Sequence, residues 1–88
     1  MTSQAVEGGW IFRVRVTGSR ITSHRVTLSK NDFDALRKEK SCTPEDLVRK
    51  SFEFLLERES NQSILGEFDL MIIGRYFLEF PEEISKRL

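Results

Sequence analysis

The sequence predicts an α+β fold: an N-terminal antiparallel β-hairpin, about 10–17 and 21–28, followed by three or four packed helices. Two patterns carry that prediction. Residues Trp10 to Thr17 alternate apolar and polar side chains, the period of a half-buried strand. From Ser29 onward the spacing changes to helical, punctuated by helix-start signals at Ser29 and Thr43. The helices are expected at about 30–40, 44–59, 64–79 and 82–88. At 88 residues the chain forms one domain, 10–88, preceded by a Gly8-Gly9-containing stretch, 1–9, read as a mobile arm.

The hydrophobic pattern selects the hairpin register. A two-residue turn at Gly18-Ser19 would pair Phe12 with Arg25 and put an arginine on the apolar face. A three-residue turn, Gly18-Ser19-Arg20, pairs Thr17 with Ile21, Val14 with His24, Phe12 with Val26 and Trp10 with Leu28. Trp10, Phe12, Val14, Val16, Val26 and Leu28 then share one face, and Arg13, Arg15, Ser23 and Arg25 the other. A slip of one residue would exchange the faces of one strand, so the second register is expected. It sets Arg13 directly opposite Arg25, a like-charge pair that destabilises by a few tenths of a kcal/mol unless water or an anion serves it.

Ser29 caps the first helix, with Asp32 in its first turn and Phe33 and Leu36 as its buried stripe. Thr43-Pro44-Glu45-Asp46 is a stronger start: an N-cap, proline at the first helical position and acids near the positive end of the macrodipole. Leu47, Val48, Ser51, Phe52, Leu55 and Leu56 recur at helical spacing, and Glu45–Arg49 and Asp46–Lys50 are spaced as i,i+4 pairs. Phe54 lies off this stripe and needs another surface. The segment 64–80 is unusually apolar. Asp69 can cap a helix of about 70–79, with Ile72, Ile73, Tyr76, Phe77 and Phe80 on one face and Leu70, Met71 and Leu78 elsewhere. So much apolar surface predicts a homodimer or a partner protein, with Leu70, Met71, Ile72, Ile73, Tyr76, Phe77 and Phe80 at the interface. Pro81-Glu82-Glu83 starts a last short helix carrying Ile84 and Leu88.

Composition excludes several classes. Hydrophobic residues at 39% and charged residues at 32% are globular values, not those of a disordered tail. The longest apolar run, Leu70 to Ile73, falls far short of the roughly 20 residues that span a bilayer, so no membrane association is expected. Residues 1–9 lack the charged and apolar regions of a secretory signal. One cysteine, Cys42, cannot form an internal disulfide, which fits a reducing cytoplasm.

The chemistry-bearing residues are few. His24 is the only histidine, and its expected place is the edge of the apolar face. Cys42 precedes a helix start, which could lower its pKa, but a small residue in a helix–helix turn explains it as well. One His and one Cys supply no metal-ligand spacing. The paired acids Glu82-Glu83, Glu57/Glu59 and Glu67/Asp69 read as caps and solvated faces, and no glycine-rich phosphate loop is present. No cofactor, metal, catalytic residue or small-molecule substrate is therefore expected, and the chain is read as non-enzymatic.

The net charge of zero hides a split. Residues 1–40 hold eight Lys/Arg against four acids, and 41–88 hold six against ten. The halves can offset one another within a monomer or between subunits, or the basic half can bind an anion. The outer hairpin face, Arg13, Arg15 and Arg25, with Arg20 at the turn and Thr27 beyond, is the candidate nucleic-acid surface. A two-stranded ribbon can enter a DNA major groove, where arginines meet guanine edges or phosphates. Without aromatic side chains it is no stacking platform for single strands.

The stretch Arg25-Val26-Thr27-Leu28, the helix with Phe33 and Leu36, and Thr43-Pro44-Glu45-Asp46-Leu47-Val48-Arg49-Lys50-Ser51-Phe52 together resemble the ribbon-helix-helix family of DNA-binding regulators and antitoxins, over Arg25 to Glu59. The resemblance implies a small bacterial-type cytoplasmic protein in which Arg25, Thr27 and Ser23 face the groove. The second helix would start near phosphate, and 60–88 would form an effector- or toxin-binding tail. In that family the sheet pairs one strand from each of two chains, whereas here Trp10–Thr17 offers a partner within the chain. Both pairings stay open at this point, as do duplex DNA binding and an antitoxin-like adaptor role through 64–80.

Overall fold

The alternation from Trp10 to Thr17 folds as strand β2 (Gly9–Thr17), antiparallel to β3 (Ile21–Ser29). The structure, a computed structural model, describes residues 1–88. The register is that of the three-residue turn: Thr17 faces Ile21, Val14 His24, Phe12 Val26 and Trp10 Leu28. Phe12, Val14, Val26 and Leu28 are accordingly buried, while Arg13, Arg15, Ser23 and Arg25 are exposed. At the turn, a Cβ on Gly18 would sit 2.7 Å from Asn61 Oδ1, so glycine lets Asn61 close over the hairpin end.

Residues 1–9, expected as an arm, instead supply strand β1 (Thr2–Val6), antiparallel to β2 with Thr2 against Arg13 and Gln4 against Ile11. All five of its residues are exposed. No apolar pattern announces this strand, because backbone pairing rather than side-chain burial holds it. Gly8, at φ +78°, makes the turn into β2, and its carbonyl accepts from Lys30 N at 2.8 Å, which fastens the turn to the first helix.

Helix α1 (Lys30–Arg37) starts where Ser29 Oγ accepts from Asp32 N at 3.1 Å. It buries Phe33 and Leu36, and Phe33 meets Trp10 edge-on with ring centroids 5.4 Å apart. The helix stops short of the expected 40, because Lys38 turns to φ 54° and Lys40 N donates back to Arg37 O. Helix α2 (Pro44–Leu56) opens with a full capping box: Thr43 Oγ1 accepts from Asp46 N, and Asp46 accepts from Thr43 N. Its stripe is buried except Leu56, which is 43% exposed. The expected i,i+4 ion pairs are replaced by i,i+3 contacts, Asp46–Arg49 at 3.6 Å and Lys50–Glu53 at 3.8 Å.

The expected helix over 64–79 does not form as one element. Glu67–Asp69 is a short strand, β4, parallel to β3 with Arg25 against Glu67, Val26 against Phe68 and Thr27 against Asp69. Phe68 alone turns inward, toward Phe52. Asp69 caps as expected, accepting from Met71 N at 3.1 Å, but it opens a 3-10 turn, Leu70–Ile72, and then a single helical turn, α3 (Ile73–Tyr76). Helix α4 (Phe80–Arg87) closes the chain.

The sheet runs β1-β2-β3-β4. Its inner face joins α1, α2, α4 and the 64–80 segment in one core of 17 buried residues. The sheet's other face carries no helix. Phe54, off the α2 stripe, finds its surface in Phe77 and Phe80, at ring separations of 5.8 and 5.3 Å.

Candidate functional site

The open sheet face is built in rows by the registers of three strand pairs. Thr2, Arg13, Arg25 and Glu67 form one row across all four strands; Gln4, Ile11, Thr27 and Asp69 form the next. Nearer the turn, Arg15 faces Ser23 beyond the reach of β1 and β4. Between the first row and the Arg15–Ser23 pair lies a shallow depression of about 430 Å³ whose wall includes Thr2, Arg13, Arg15, Ser23 and Arg25.

Acids reach only one side of it. Arg25 Nη1 donates to Glu67 Oε1 at 2.9 Å, and Thr27 Oγ1 donates to Asp69 Oδ2 at 2.9 Å. The salt bridges of the chain include neither Arg13 nor Arg15 nor Arg20. Of the five residues the sequence singles out, the fold therefore gathers Arg13, Arg15 and Arg25. Thr27 lies in the next row, engaged with Asp69, and Arg20 stands at the turn outside the depression. Glu67 and Asp69, read from the sequence as solvated acids, are neighbours of this face. Their signal is the alternation Glu67-Phe68-Asp69, hidden within an otherwise helix-like apolar run. The basic and acidic halves of the chain meet here, at Arg25 and Glu67.

Strand β3 has β2 on one edge and β4 on the other. A ribbon shared between two copies of β3 would require one of them to leave.

His24 and Cys42 do not converge on a common task. His24 is 3% exposed, and both ring nitrogens are engaged. Nδ1 lies 2.7 Å from the Leu65 carbonyl, which can only accept, so the proton sits on Nδ1. Nε2 then accepts from Thr22 Oγ1 at 2.8 Å. Asn61 Nδ2 donates to Thr22 Oγ1 at 3.0 Å and to Arg20 O at 2.9 Å. This chain of bonds staples 61–65 to the hairpin and leaves no buried side-chain polar atom without a partner. Cys42 is half-buried against the core, and burial pushes its thiol up more than nearby Arg37 brings it down, opposite to the lowering that its place before α2 suggests.

The expected interface residues divide. Leu70, Ile73 and Phe80 belong to the core of the single chain, at 0%, 2% and 1% exposure, because the break at β4 folds them inward. Met71, Ile72 and Phe77 are half-buried, and Tyr76 is exposed. Between the end of α2 and this segment lies an open groove of about 370 Å³. Leu55, Ile64, Phe68 and Ile73 make its floor; Leu65, Ile72, Tyr76 and Phe77 make its rim. Glu59 is the one charged residue lining it. No helix of the chain is long and apolar enough to cross a membrane.

Comparison with known protein families, with characterised proteins and with solved structures returned no match.

Proposed function

We propose that this chain is a non-enzymatic binding module whose helix-free sheet face takes duplex DNA. The observation that carries the reading is the pair Arg13 and Arg15, exposed on a depression with no carboxylate paired to them. Free guanidinium groups are suited to phosphate oxygens, which they meet through two parallel hydrogen bonds. Arg13 also faces Arg25 across the ladder, and a phosphate placed between them would relieve the repulsion that Glu67 answers from one side only. Arg20 extends the positive surface along the hairpin end, while the acids of β4 set its limit.

Fluorescence anisotropy with a labelled duplex tests the reading. Binding is expected at roughly 50 mM salt, falling as salt rises, and Arg13→Ala with Arg15→Ala should flatten the dependence of log K on log salt by about 1.8, the share of two phosphate contacts. Absence of binding at that salt rejects it. A second reading, a protein-interaction module working through 64–80, is favoured by the apolar groove beside that segment.

A further inference from the structure

We propose that two copies of this chain dock through the groove at the end of α2, each placing Leu78 in the groove of the other. Leu78 is 84% exposed and Tyr76 67%, the two largest exposures among the large hydrophobic side chains. They flank Phe77, which is on the groove's rim. A protruding apolar knob thus follows, one residue along the chain, the rim of an apolar hole. A two-fold axis is the operation that fills both holes with both knobs, because the same patch then contacts itself.

Charge complementarity singles out a second copy as the occupant. Glu57, Glu79 and Glu83 are taken by Arg58 and Arg87 within the chain. Glu59, in the groove, has no ion partner, and neither does Arg75, exposed three residues before Leu78. The hole therefore carries one uncommitted negative charge, and the segment that bears the knob carries one uncommitted positive charge. In a two-fold pair each Arg75 meets the partner's groove, and the contact forms twice. A partner of another sequence would have to supply both the apolar knob and the cation that this chain already displays. The groove shares no residue with the arginine depression, so this inference is independent of the DNA reading.

Sedimentation velocity from about 1 to 100 µM, a range that brackets micromolar association, tests it. The wild type is expected to dimerise within that range. Leu78→Asp should leave a monomer with an unchanged circular dichroism spectrum, since the side chain is exposed. Glu59→Arg and Arg75→Glu should each weaken the dimer at least about tenfold, and the double reversal should recover most of that loss. Arg13→Ala with Arg15→Ala should leave the dimer constant unchanged, so DNA binding and dimerisation fail or survive separately. A wild type that stays monomeric at about 100 µM overturns the proposal and leaves the groove to a different protein. A dimer indifferent to Leu78→Asp overturns it too, and moves the contact elsewhere, the uncovered edge of β1 included. A double reversal that stays dissociated overturns the Glu59–Arg75 pairing and with it the assignment.

Discussion

Two pairs of arginines in this molecule have opposite surroundings. Arg58 and Arg87 lie against the ring of Phe54, with guanidinium carbons 3.6 and 5.6 Å from its centroid. Arg87 holds Glu57 through two hydrogen bonds of 2.7 Å, and Arg58 reaches Glu79 at 3.4 Å and the Phe54 carbonyl at 3.1 Å. Together they tie the end of α2 to α4 and to the turn before it. Arg13 and Arg15 have neither a ring beneath them nor an acid beside them, and Arg13 looks across the ladder at another arginine. The first pair is engaged inside the fold by acids, a carbonyl and a ring. The second has its donors available for something outside. Residue type alone does not separate mortar from binding site; committed and uncommitted donors do.

The largest expected effect falls on the ring beneath the first pair. Phe54→Ala should destabilise by about 3–5 kcal/mol, since it empties a fully buried site where Phe77, Phe80 and both guanidinium groups converge. Urea denaturation measures it. A loss under about 1 kcal/mol would mean that the neighbours close over the gap and that the arginines do not depend on the ring.

Phe54 also shows what the sequence can and cannot tell. Its place off the α2 stripe is visible there, and so is its need for a second surface. Which surface is not visible, because the apolar spacing of 64–80 merges Phe77 and Phe80 into one long helix. The hairpin is legible down to its register, since strand parity and turn length are local properties that one misplaced arginine can decide. The caps at Ser29, Thr43 and Asp69 are legible for the same reason. Strand β1 is not: Thr-Ser-Gln-Ala-Val carries no apolar alternation, and its support is backbone pairing. Strand β4 is not either, because its three residues are placed by β3, 42 positions earlier in the case of Arg25 and Glu67. That same distance hides the acids from the candidate site. The outward direction of Arg13 and Arg15 follows from parity, but the partner of Arg25 depends on a crossover that no local pattern encodes.

The next effect is pH-dependent and belongs to Arg87. The two hydrogen bonds from Arg87, with its charge and that of Arg58, hold the Glu57 carboxyl below its ordinary value. A carboxyl whose folded value is depressed contributes stability that is fully present above its unfolded value. That contribution is lost as pH falls through the folded value. Arg87→Ala should therefore lower the urea midpoint at pH 7, by less than Phe54→Ala does. Its gap from the wild type should narrow as pH falls through the carboxylate range. Asp46 is also held low, by its bonds from Thr43, and titrates in both proteins, so only the difference between variants reports on Glu57. A gap that stays constant down to acid pH would show that Arg87 acts by covering Phe54 and not through its carboxylate.

Arg13→Ala with Arg15→Ala should show the reverse profile. Both side chains are exposed and unpaired, so stability measured in urea should change by no more than about 0.5 kcal/mol, while the proposed DNA binding should weaken. A large loss of stability would mean that the aliphatic stems cover the sheet and that these arginines belong with the structural pair.

The smallest effect is the sharpest test of commitment. Arg13 and Arg25 face one another, and Glu67 bonds only Arg25. Arg13→Thr removes one of two like charges and puts a strand-favouring residue in its place, so stability should rise by a few tenths of a kcal/mol. The gain from relieved repulsion should be absent in an Arg25→Thr background, where the opposing like charge is gone. It should also shrink as added salt screens the exposed charges. The double-mutant cycle isolates the repulsion from the change in strand propensity, which is the same in both backgrounds. If Arg13→Thr gains the same amount with and without Arg25, the two arginines do not feel each other through solvent, and the anion proposed between them loses its physical basis.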